Sequence, residues 1–233
     1  MNIKIVLLVP VIFFLSWGAQ AQNFYKEKIP KTEVLSIGIG PSFIYADNGG
    51  TYRNFNFPWN PAASISYTKR IHPHWGLKAT GGVQWLESGN HNPSQRVQDH
   101  WNLYGSAFQF RGEAYHADVM PIFYLFPYIN HMNRSWVNLY AGLGIGVMHV
   151  ERQEAFSLEP DAQFSRANIT TGYIPFRAGI SFRLGDLSDI ALEGTMLFTF
   201  SDNLDGNENF NRFGDHLAQA QIVYKRFLAK RKK

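Results

Sequence analysis

The amino-acid sequence predicts an all-β protein, an eight-stranded antiparallel up-and-down barrel that crosses a membrane with its strands. Three observations support this fold class. Apolar residues alternate with small or polar residues in eight segments, these segments are about 11–16 residues long, and the connections between them are alternately long and short. Soluble strands usually have about 5–6 residues, whereas a tilted strand that crosses a bilayer needs about 9–11. Strand length therefore favours a membrane barrel over a soluble sandwich.

The alternation is clear between Trp75 and Trp85, where apolar residues take most odd positions and Gly, Lys, Thr and Gln take the even ones. Alternation does not itself tell which face points outward. Strand length, an export signal and aromatic strand ends together favour an apolar face toward lipid and a small or polar face toward a narrow lumen. The predicted strands are Glu33–Ala46, Asn60–Ile71, Trp75–Trp85, Arg111–Phe126, Val137–Val147, Ile174–Leu184, Ile190–Phe200 and Asp215–Phe227.

The N-terminus has the three parts of a secretory signal peptide. A basic start, Met1–Lys4, precedes the apolar run Ile5–Trp17, and Ala19-Gln20-Ala21 supplies the small residues of a cleavage site. Pro10 and the cleavage site argue against a retained anchor helix. We therefore expect cleavage after Ala21 and a mature protein in the outer membrane. The expected organisation is a signal peptide over 1–21, a periplasmic tail over 22–32, the barrel over 33–228 and a basic periplasmic tail over 229–233.

The connections indicate the orientation of the barrel. Outer-membrane barrels have short periplasmic turns and longer extracellular loops, so both termini are expected in the periplasm. The long connections are Asp47–Trp59, Glu87–Phe110, Glu151–Asn168 and Asp202–Gly214, and the short ones are His72–His74, Pro127–Arg134 and Gly185–Asp189. The short turns carry the candidate contacts to a periplasmic partner, which are His72, His74, Asn133, Arg134, Asp186 and Asp189.

Isolated charges on the small-residue face are expected to meet inside the lumen. An unpaired buried charge is costly, so these side chains should form salt bridges that plug a narrow barrel. A path for small ions is the functional alternative, although eight strands leave little open bore. The expected charge network consists of Lys78, Asp118, Arg177, Arg183 and Glu193. The pair Lys225-Arg226 is expected to belong to a solvated basic end of the chain.

Aromatic residues near the ends of the predicted strands are expected to form the two girdles at the membrane interfaces. The alternation breaks between Tyr224 and Phe227, which predicts a bulge or a strand end there. The expected girdle residues are Tyr45, Trp75, Trp85, Trp136, Phe198, Phe200 and Phe227.

The sequence has no motif that indicates catalysis or metal binding. It has no cysteine, which removes thiolate chemistry, disulfides and cysteine-ligated metals. The glycine run Ala141–Gly146 lacks the third glycine of a dinucleotide loop, and Asp202–Gly206 departs from a calcium loop at its first and twelfth positions. The eight histidines have no spacing that singles out a catalytic triad. We therefore expect no enzyme activity, no cofactor, no metal and no nucleic-acid partner.

The chain resembles the small outer-membrane barrels of Bacteroidetes in four segments: SIGIGPSFIYADNGG, NPAASISYTKRIHPHWGLKATGGVQWLESGNHN, NLYAGLGIGVMHV and IPFRAGISFRLGDLSDIALEGTMLFTFSDNLDG. The layout most resembles the barrel component of the type IX secretion and gliding-motility apparatus, over most of Leu35–Gly206. This resemblance implies a non-catalytic barrel that anchors a periplasmic ring of partner proteins.

The leading functional expectation is therefore a structural barrel of a periplasm-facing assembly. Its expected partners are outer-membrane lipid and the periplasmic or outer-membrane proteins of a secretion complex. The alternative is a small porin-like or adhesin-like barrel whose long loops meet ligands outside the cell. A lipid-modifying barrel enzyme is the third hypothesis.

Overall fold

The computed structural model describes residues 30–49, 52, 57–89, 95–157, 162–207 and 214–228. The expected signal peptide, its cleavage site after Ala21 and the basic tail over 229–233 lie outside the described residues, as does most of the expected N-terminal tail. No helix within the described ranges is long and apolar enough to cross a membrane.

The described residues form nine strands and one helix. β5 and β6 follow one another along a single strand position and are separated only by Gly144. The elements are β1 (Glu33–Tyr45), β2 (Asn60–His72), β3 (Trp75–Glu87), α1 (Gln95–Tyr104), β4 (Gln109–Tyr124), β5 (Val137–Leu143), β6 (Ile145–Ala155), β7 (Phe164–Arg183), β8 (Ser188–Thr199) and β9 (His216–Phe227).

The strands form one closed antiparallel ring. β9 pairs with β1 from Val34 opposite Phe227 to Tyr45 opposite His216, which joins the last strand to the first. β5 and β6 each pair with β4 on one side and β7 on the other. Closure pairs the backbone of both edge strands. The prediction of an eight-stranded up-and-down barrel is confirmed, with β5 and β6 as one interrupted strand.

Gly144 lies at the interruption, and no larger residue fits there. A β-carbon at this position would collide with the carbonyl oxygen of Val119 and with Met120 on β4. Leu143 and Ile145, on either side of the glycine, are both exposed on the outer wall. The alternation of faces therefore continues across the break.

The apolar face of the strands points outward. On β1 the side chains of Ile37 and Ile39 are 54% and 65% exposed, whereas that of Ser36 is 2% exposed. The same alternation runs along the other strands. Small inward residues let the ring close around a narrow bore, and the outward residues form a continuous apolar belt.

The structure differs from the prediction at the long connections. β7 begins at Phe164 instead of Ile174 and β6 extends to Ala155, so most of the expected loop Glu151–Asn168 is strand. This part of β7 exposes polar residues, among them Arg166, and the sequence pattern therefore lacked the apolar face of a membrane strand.

α1 was also not predicted. Its Trp101 is buried and packs edge-on against Phe108, 5.5 Å between ring centres.

Candidate functional site: the sealed lumen and the loop cap

A network of ionised side chains crosses the middle of the lumen. Lys78 Nζ on β3 lies 2.8 Å from Glu193 Oε2 on β8, which is on the opposite side of the ring. The hydroxyl of Tyr140 donates to the same carboxylate at 2.7 Å. Arg177 on β7 joins the two halves, because its Nε lies 3.2 Å from Glu193 and its Nη2 lies 3.3 Å from Asp118. These side chains therefore fill the bore from wall to wall.

Neutral side chains complete the hydrogen bonds of this network. Arg177 donates to the hydroxyls of Thr80 at 2.9 Å and Thr195 at 3.1 Å. The hydroxyl of Tyr173 donates to Asp118 Oδ2 at 3.0 Å. A buried ionic group is tolerated when its remaining donors and acceptors are satisfied, and here they are supplied by several strands. The network therefore holds the wall of the barrel in one register.

Apolar side chains close the lumen on the long-loop side of the network. Leu204 reaches into the barrel from the connection between β8 and β9 and is completely buried. It packs among inward-facing residues of the surrounding strands, which include Ile44, Leu86, Phe110, Met148, Val150, Leu197 and Leu217. This layer excludes water from the bore.

Hydrogen bonds link three long connections above that apolar layer. The backbone N–H of Asn48 donates to Asp205 Oδ2 at 2.6 Å. The side-chain amides of Asn48 and Asn207 both donate to the carbonyl oxygen of Ala107, each at 3.1 Å. We call Asn48, Ala107, Leu204, Asp205, Asn207 and Asp215 the loop cap. Because the loop cap joins the connections after β1, β3 and β8, these loops form one surface.

Two buried carboxyl groups hold the loop cap. Asp215 Oδ2 accepts from the backbone N–H of Leu204 at 2.6 Å. Burial raises the pKa of Asp205 to about 6, although hydrogen bonds from Asn48 and Asn207 partly oppose this. Burial, followed by the nearby charge of Asp205, raises the pKa of Asp215 to about 9. Asp215 therefore binds its proton more tightly than a free carboxyl group does.

The short-turn end is closed by a second cluster. Arg134 Nη2 lies 2.5 Å from Asp189 Oδ1, and its guanidinium lies 4.6 Å from the centre of the Phe227 ring. Phe227 in turn stacks on Tyr128, with 5.7 Å between ring centres and 4° between their planes. The Tyr128 hydroxyl donates to the carbonyl oxygen of Lys31, and burial raises the pKa of Tyr128 to about 12. We call Tyr128, Arg134, Asp189 and Phe227 the mouth plug.

The mouth plug changes the list of expected periplasmic contacts. The side chains of Arg134 and Asp189 are 5% and 11% exposed and are bound to each other, so they are not available to a partner. His72, Asn133 and Asp186 are exposed and His74 is half-buried. A partner at this end would therefore meet the histidine turn and the tips of the other two turns.

Arg183 does not lie in the central network, where the sequence pattern had placed it. Its Nη2 lies 2.7 Å from Asp186 Oδ1, and its Nη1 donates to the carbonyl oxygen of Met132 at 2.8 Å. Arg183 is the last residue of β7, and its side chain turns toward the short turns. The other four expected members, Lys78, Asp118, Arg177 and Glu193, do meet in the lumen.

Phe227 lies inside the barrel and not in a girdle. The alternation along β9 continues without the expected break, so Lys225 and Phe227 face inward while Tyr224 and Arg226 face outward. Tyr224 is therefore the outward aromatic residue near the end of β9. The other expected girdle residues lie on the outer wall: Tyr45, Trp85, Phe198 and Phe200 near the long loops, and Trp75 and Trp136 near the short turns.

One hydroxyl–histidine–carboxylate cluster occurs on the outer wall. His149 Nδ1 lies 2.7 Å from Thr170 Oγ1, and His149 Nε2 lies 3.7 Å from Glu151 Oε1. β6 is paired on both sides, so the backbone N–H groups around this cluster are used in the ladders and leave no pair of donors for an oxyanion. The cluster therefore lacks a requirement of acyl-transfer catalysis.

No group of three or more His, Cys, Asp or Glu side chains in the described part of the chain is arranged to hold a metal ion.

A polar groove of about 730 Å³ lies on the outer wall at the long-loop end. β4, β6 and β7 form its floor, and Trp85 lies at its edge. Arg111 donates from Nε to Gln153 Oε1 at 3.0 Å across the groove. The charged residues that line it are Glu87, Arg111, Glu113, Glu151, Arg152 and Arg166. The groove can therefore offer both donors and acceptors to a polar ligand.

Neither a protein-family model nor a curated protein matches the chain. Several solved structures are similar in fold. Neisserial surface protein A is 12% identical over 84% of this chain and 97% of that one, with a TM-score of 0.50. Ail of Yersinia pestis is 13% identical over 84% and 99%, with a TM-score of 0.47. OprG, an outer membrane protein of Pseudomonas aeruginosa, is 11% identical over 87% and 99%, with a TM-score of 0.42. The chain thus shares the fold of small outer-membrane β-barrels.

Arg70 and Lys225 are inward-facing cations that sequence reasoning missed. Arg70 follows Ser66 and Thr68 on the inward face of β2, and Lys225 lies between the inward residues Val223 and Phe227 of β9. Strict alternation could have placed both. Lys225 had been assigned with Arg226 to a solvated basic end, but only Arg226 is exposed.

Proposed function

We propose that the chain is a non-catalytic outer-membrane β-barrel whose lumen does not conduct and whose long loops present a ligand-binding surface outside the cell. The observation that carries the proposal is the closure of the bore at three levels, by the loop cap, the Arg177 network and the mouth plug. A barrel with a filled bore serves as a scaffold for its loops and not as a pore.

The outer wall supports the membrane location. Soluble monomers rarely expose contiguous apolar patches larger than a few hundred Å², whereas here every strand exposes large apolar side chains on the outer wall. Ile145, Leu143 and Ile39 are each more than half exposed on this belt. Trp136 near the short turns and Phe200 near the long loops are 75% and 70% exposed, as expected for girdles at two interfaces.

The polar groove supports the binding role. It lies beside the loop cap end of the barrel, where the strands continue beyond the apolar belt with charged outward residues. Arg111 and Arg166 contribute positive charge, and Glu113 and Glu151 contribute negative charge. We propose that this groove binds a polar ligand at the membrane surface.

The narrower expectation of a type IX secretion component is not supported by the comparisons, and we do not propose it. A periplasmic or outer-membrane protein partner stays a prediction. Its proposed contact residues are reduced to His72, His74, Asn133 and Asp186, because the mouth plug occupies Arg134 and Asp189.

Conductance in planar bilayers tests the closed lumen. We expect the protein extracted from membranes and reconstituted in planar bilayers to produce no discrete conductance steps, because three layers of side chains block the bore. A general porin reconstituted in parallel is the positive control. Reproducible steps from the wild-type chain would contradict the proposal of a closed scaffold.

The binding surface is tested separately with an array of glycans and extracellular proteins probed by the detergent-solubilised barrel. The double variant Arg111→Ala/Arg166→Ala should lose at least about tenfold in affinity for any bound probe, because it removes charge-assisted hydrogen bonds. Arg226→Ala, at the opposite end of the barrel, is the matched control. Equal binding by both variants would place the ligand elsewhere.

A further inference from the structure

The charges inside the lumen do not balance. Between the loop cap and the short turns, the described inward-facing residues include five cations and three carboxylates. The cations are Arg70, Lys78, Arg134, Arg177 and Lys225, and the carboxylates are Asp118, Asp189 and Glu193. Each carboxylate is paired with Lys78, Arg134 or Arg177. Two positive charges, those of Arg70 and Lys225, are therefore in excess, and neither cation has a salt bridge among the described residues.

These two cations line the same cavity. It has a volume of about 20 Å³ and lies between the central network and the mouth plug. Phe227 closes it toward the short turns and Lys78 borders it on the other side. A volume of this kind holds about one water-sized species. The cavity is therefore too small for sulfate, phosphate or an organic ligand.

Arg70 presents unused donors in this region. The central carbon of its guanidinium lies over the ring of Tyr124, 3.4 Å from the ring centre, and 4.7 Å from the ring centre of Tyr128. Ring faces stabilise the charge but cannot accept the in-plane N–H groups. Nε and Nη1 are buried and have no acceptor among the described residues. A buried donor without an acceptor destabilises the fold, so an acceptor between these rings and the cavity is favoured.

Lys225 also lines the cavity and has no carboxylate close to it among the described residues. Its ammonium lies 3.7 Å from the centre of the Tyr140 ring. In the described part of the chain no carboxylate oxygen lies within 4.0 Å of its Nζ. Ser36 and Thr68 also line the cavity and add hydroxyl groups. Three cations, Arg70, Lys78 and Lys225, thus line one small enclosed space with a single carboxylate, Asp189, which is already paired with Arg134.

We infer that this cavity binds a small monovalent anion, chloride under physiological conditions, between Arg70 and Lys225. One negative charge there removes part of the cost of burying two unpaired cations, and it gives the Arg70 N–H groups an acceptor. The anion also lies directly behind Phe227, so it stabilises the mouth plug and the closed state of the short-turn end.

Bromide provides a direct test. Crystals of the membrane-extracted protein grown from sodium bromide should show an anomalous peak at the bromine edge within the cavity. Lys225→Met crystals should lack that peak, since the variant keeps the volume of the side chain but removes its charge. A wild-type cavity without a peak, or with density for water alone, overturns the inference.

Thermal unfolding gives an independent readout if the variant does not crystallise. At equal ionic strength, wild-type protein should melt about 2–4 °C higher in chloride than in gluconate, because a ligand that binds only the folded state stabilises it. Arg70→Met and Lys225→Met should abolish this difference. Lys69→Met, an exposed neighbour on β2, should retain it. A difference that persists in the two lumen variants is a general salt effect and contradicts the site.

Discussion

Arg177 Nη2 lies 3.3 Å from Asp118 Oδ2 at the centre of the barrel, where the two side chains are 2% and 0% exposed. The same guanidinium contacts Glu193 with its Nε at 3.2 Å. One cation therefore contacts carboxylates of two different strands, β4 and β8, and Glu193 is also paired with Lys78. Its loss would leave Asp118 buried without a cationic partner, which makes Arg177 the residue on which the central network depends.

The variant Arg177→Met should lower the free energy of unfolding by about 3–5 kcal/mol, the usual cost of removing one partner of a buried ion pair. Urea titration in lipid vesicles, followed by tryptophan fluorescence, measures it. Arg226→Met removes an exposed arginine of β9 and should change the unfolding free energy by less than about 0.5 kcal/mol. If the two variants lose equal stability, the network does not support the barrel.

Leu204 should hold the loop cap in place, because its side chain is buried in the apolar layer below the cap. Leu204→Ala removes a fully buried side chain and should cost about 2–5 kcal/mol locally. We expect the connection between β8 and β9 to become sensitive to protease added to whole cells, while the strands stay protected. Leu103→Ala on α1, where the side chain is 77% exposed, is the control. Unchanged protection of the Leu204 variant would show that the polar bonds alone hold the loop cap.

Alternation in the sequence was sufficient to predict the barrel and to place four of the five expected members of the central network, but it wrongly added Arg183. Lys78 and Arg177 occupy inward positions of long strands, and a narrow bore brings such side chains together whatever their distance in sequence. The same rule applied to Arg70 and Lys225 would have revealed the excess of positive charge. Lys225 was misassigned because a basic sequence near the C-terminus was interpreted from its composition and not from its position on β9.

The loop cap could not be predicted in this way. Asn48 and Asp205 are 157 residues apart, and their hydrogen bond depends on how the closed ring brings the connections together. Loop residues have no periodicity that fixes their partners. The mouth plug could not be predicted for the same reason. Arg134 precedes β5 and Asp189 lies near the start of β8, so the two residues meet only when β5, β7 and β8 are adjacent.

The loop cap should loosen as pH rises. A carboxyl group whose pKa is higher in the folded than in the unfolded protein binds its proton more tightly when folded, so stability is lost as pH rises from about 4 through the folded pKa. For Asp205 and Asp215 the folded values are about 6 and about 9. Hydrogen exchange of the backbone around Leu204 should therefore accelerate, after correction for intrinsic rates, between about pH 5 and pH 9.

The variant Asp215→Asn isolates this effect. Its amide oxygen can still accept from Leu204 N–H, but it carries no charge beside Asp205, so exchange should depend less on pH above about 6. Asp186→Asn, at an exposed position in a short turn, should leave the wild-type profile unchanged. A wild-type cap whose exchange is independent of pH, or a steeper profile in the Asp215 variant, would disprove the role of this pair.

If the apolar belt on the outer wall faces lipid, a charge placed on it should destabilise the barrel in a bilayer. Ile39 is 65% exposed on the outer wall in the middle of β1, so Ile39→Lys should destabilise the folded barrel by about 2–4 kcal/mol in a bilayer, the cost of a charge near the membrane midplane. The same change at Leu103, exposed on α1, should cost less than about 0.5 kcal/mol because that side chain lies outside the strands. Urea unfolding of both variants in vesicles measures the difference. A tolerated lysine at position 39 would mean that this wall does not face hydrocarbon, and the membrane location would then be wrong.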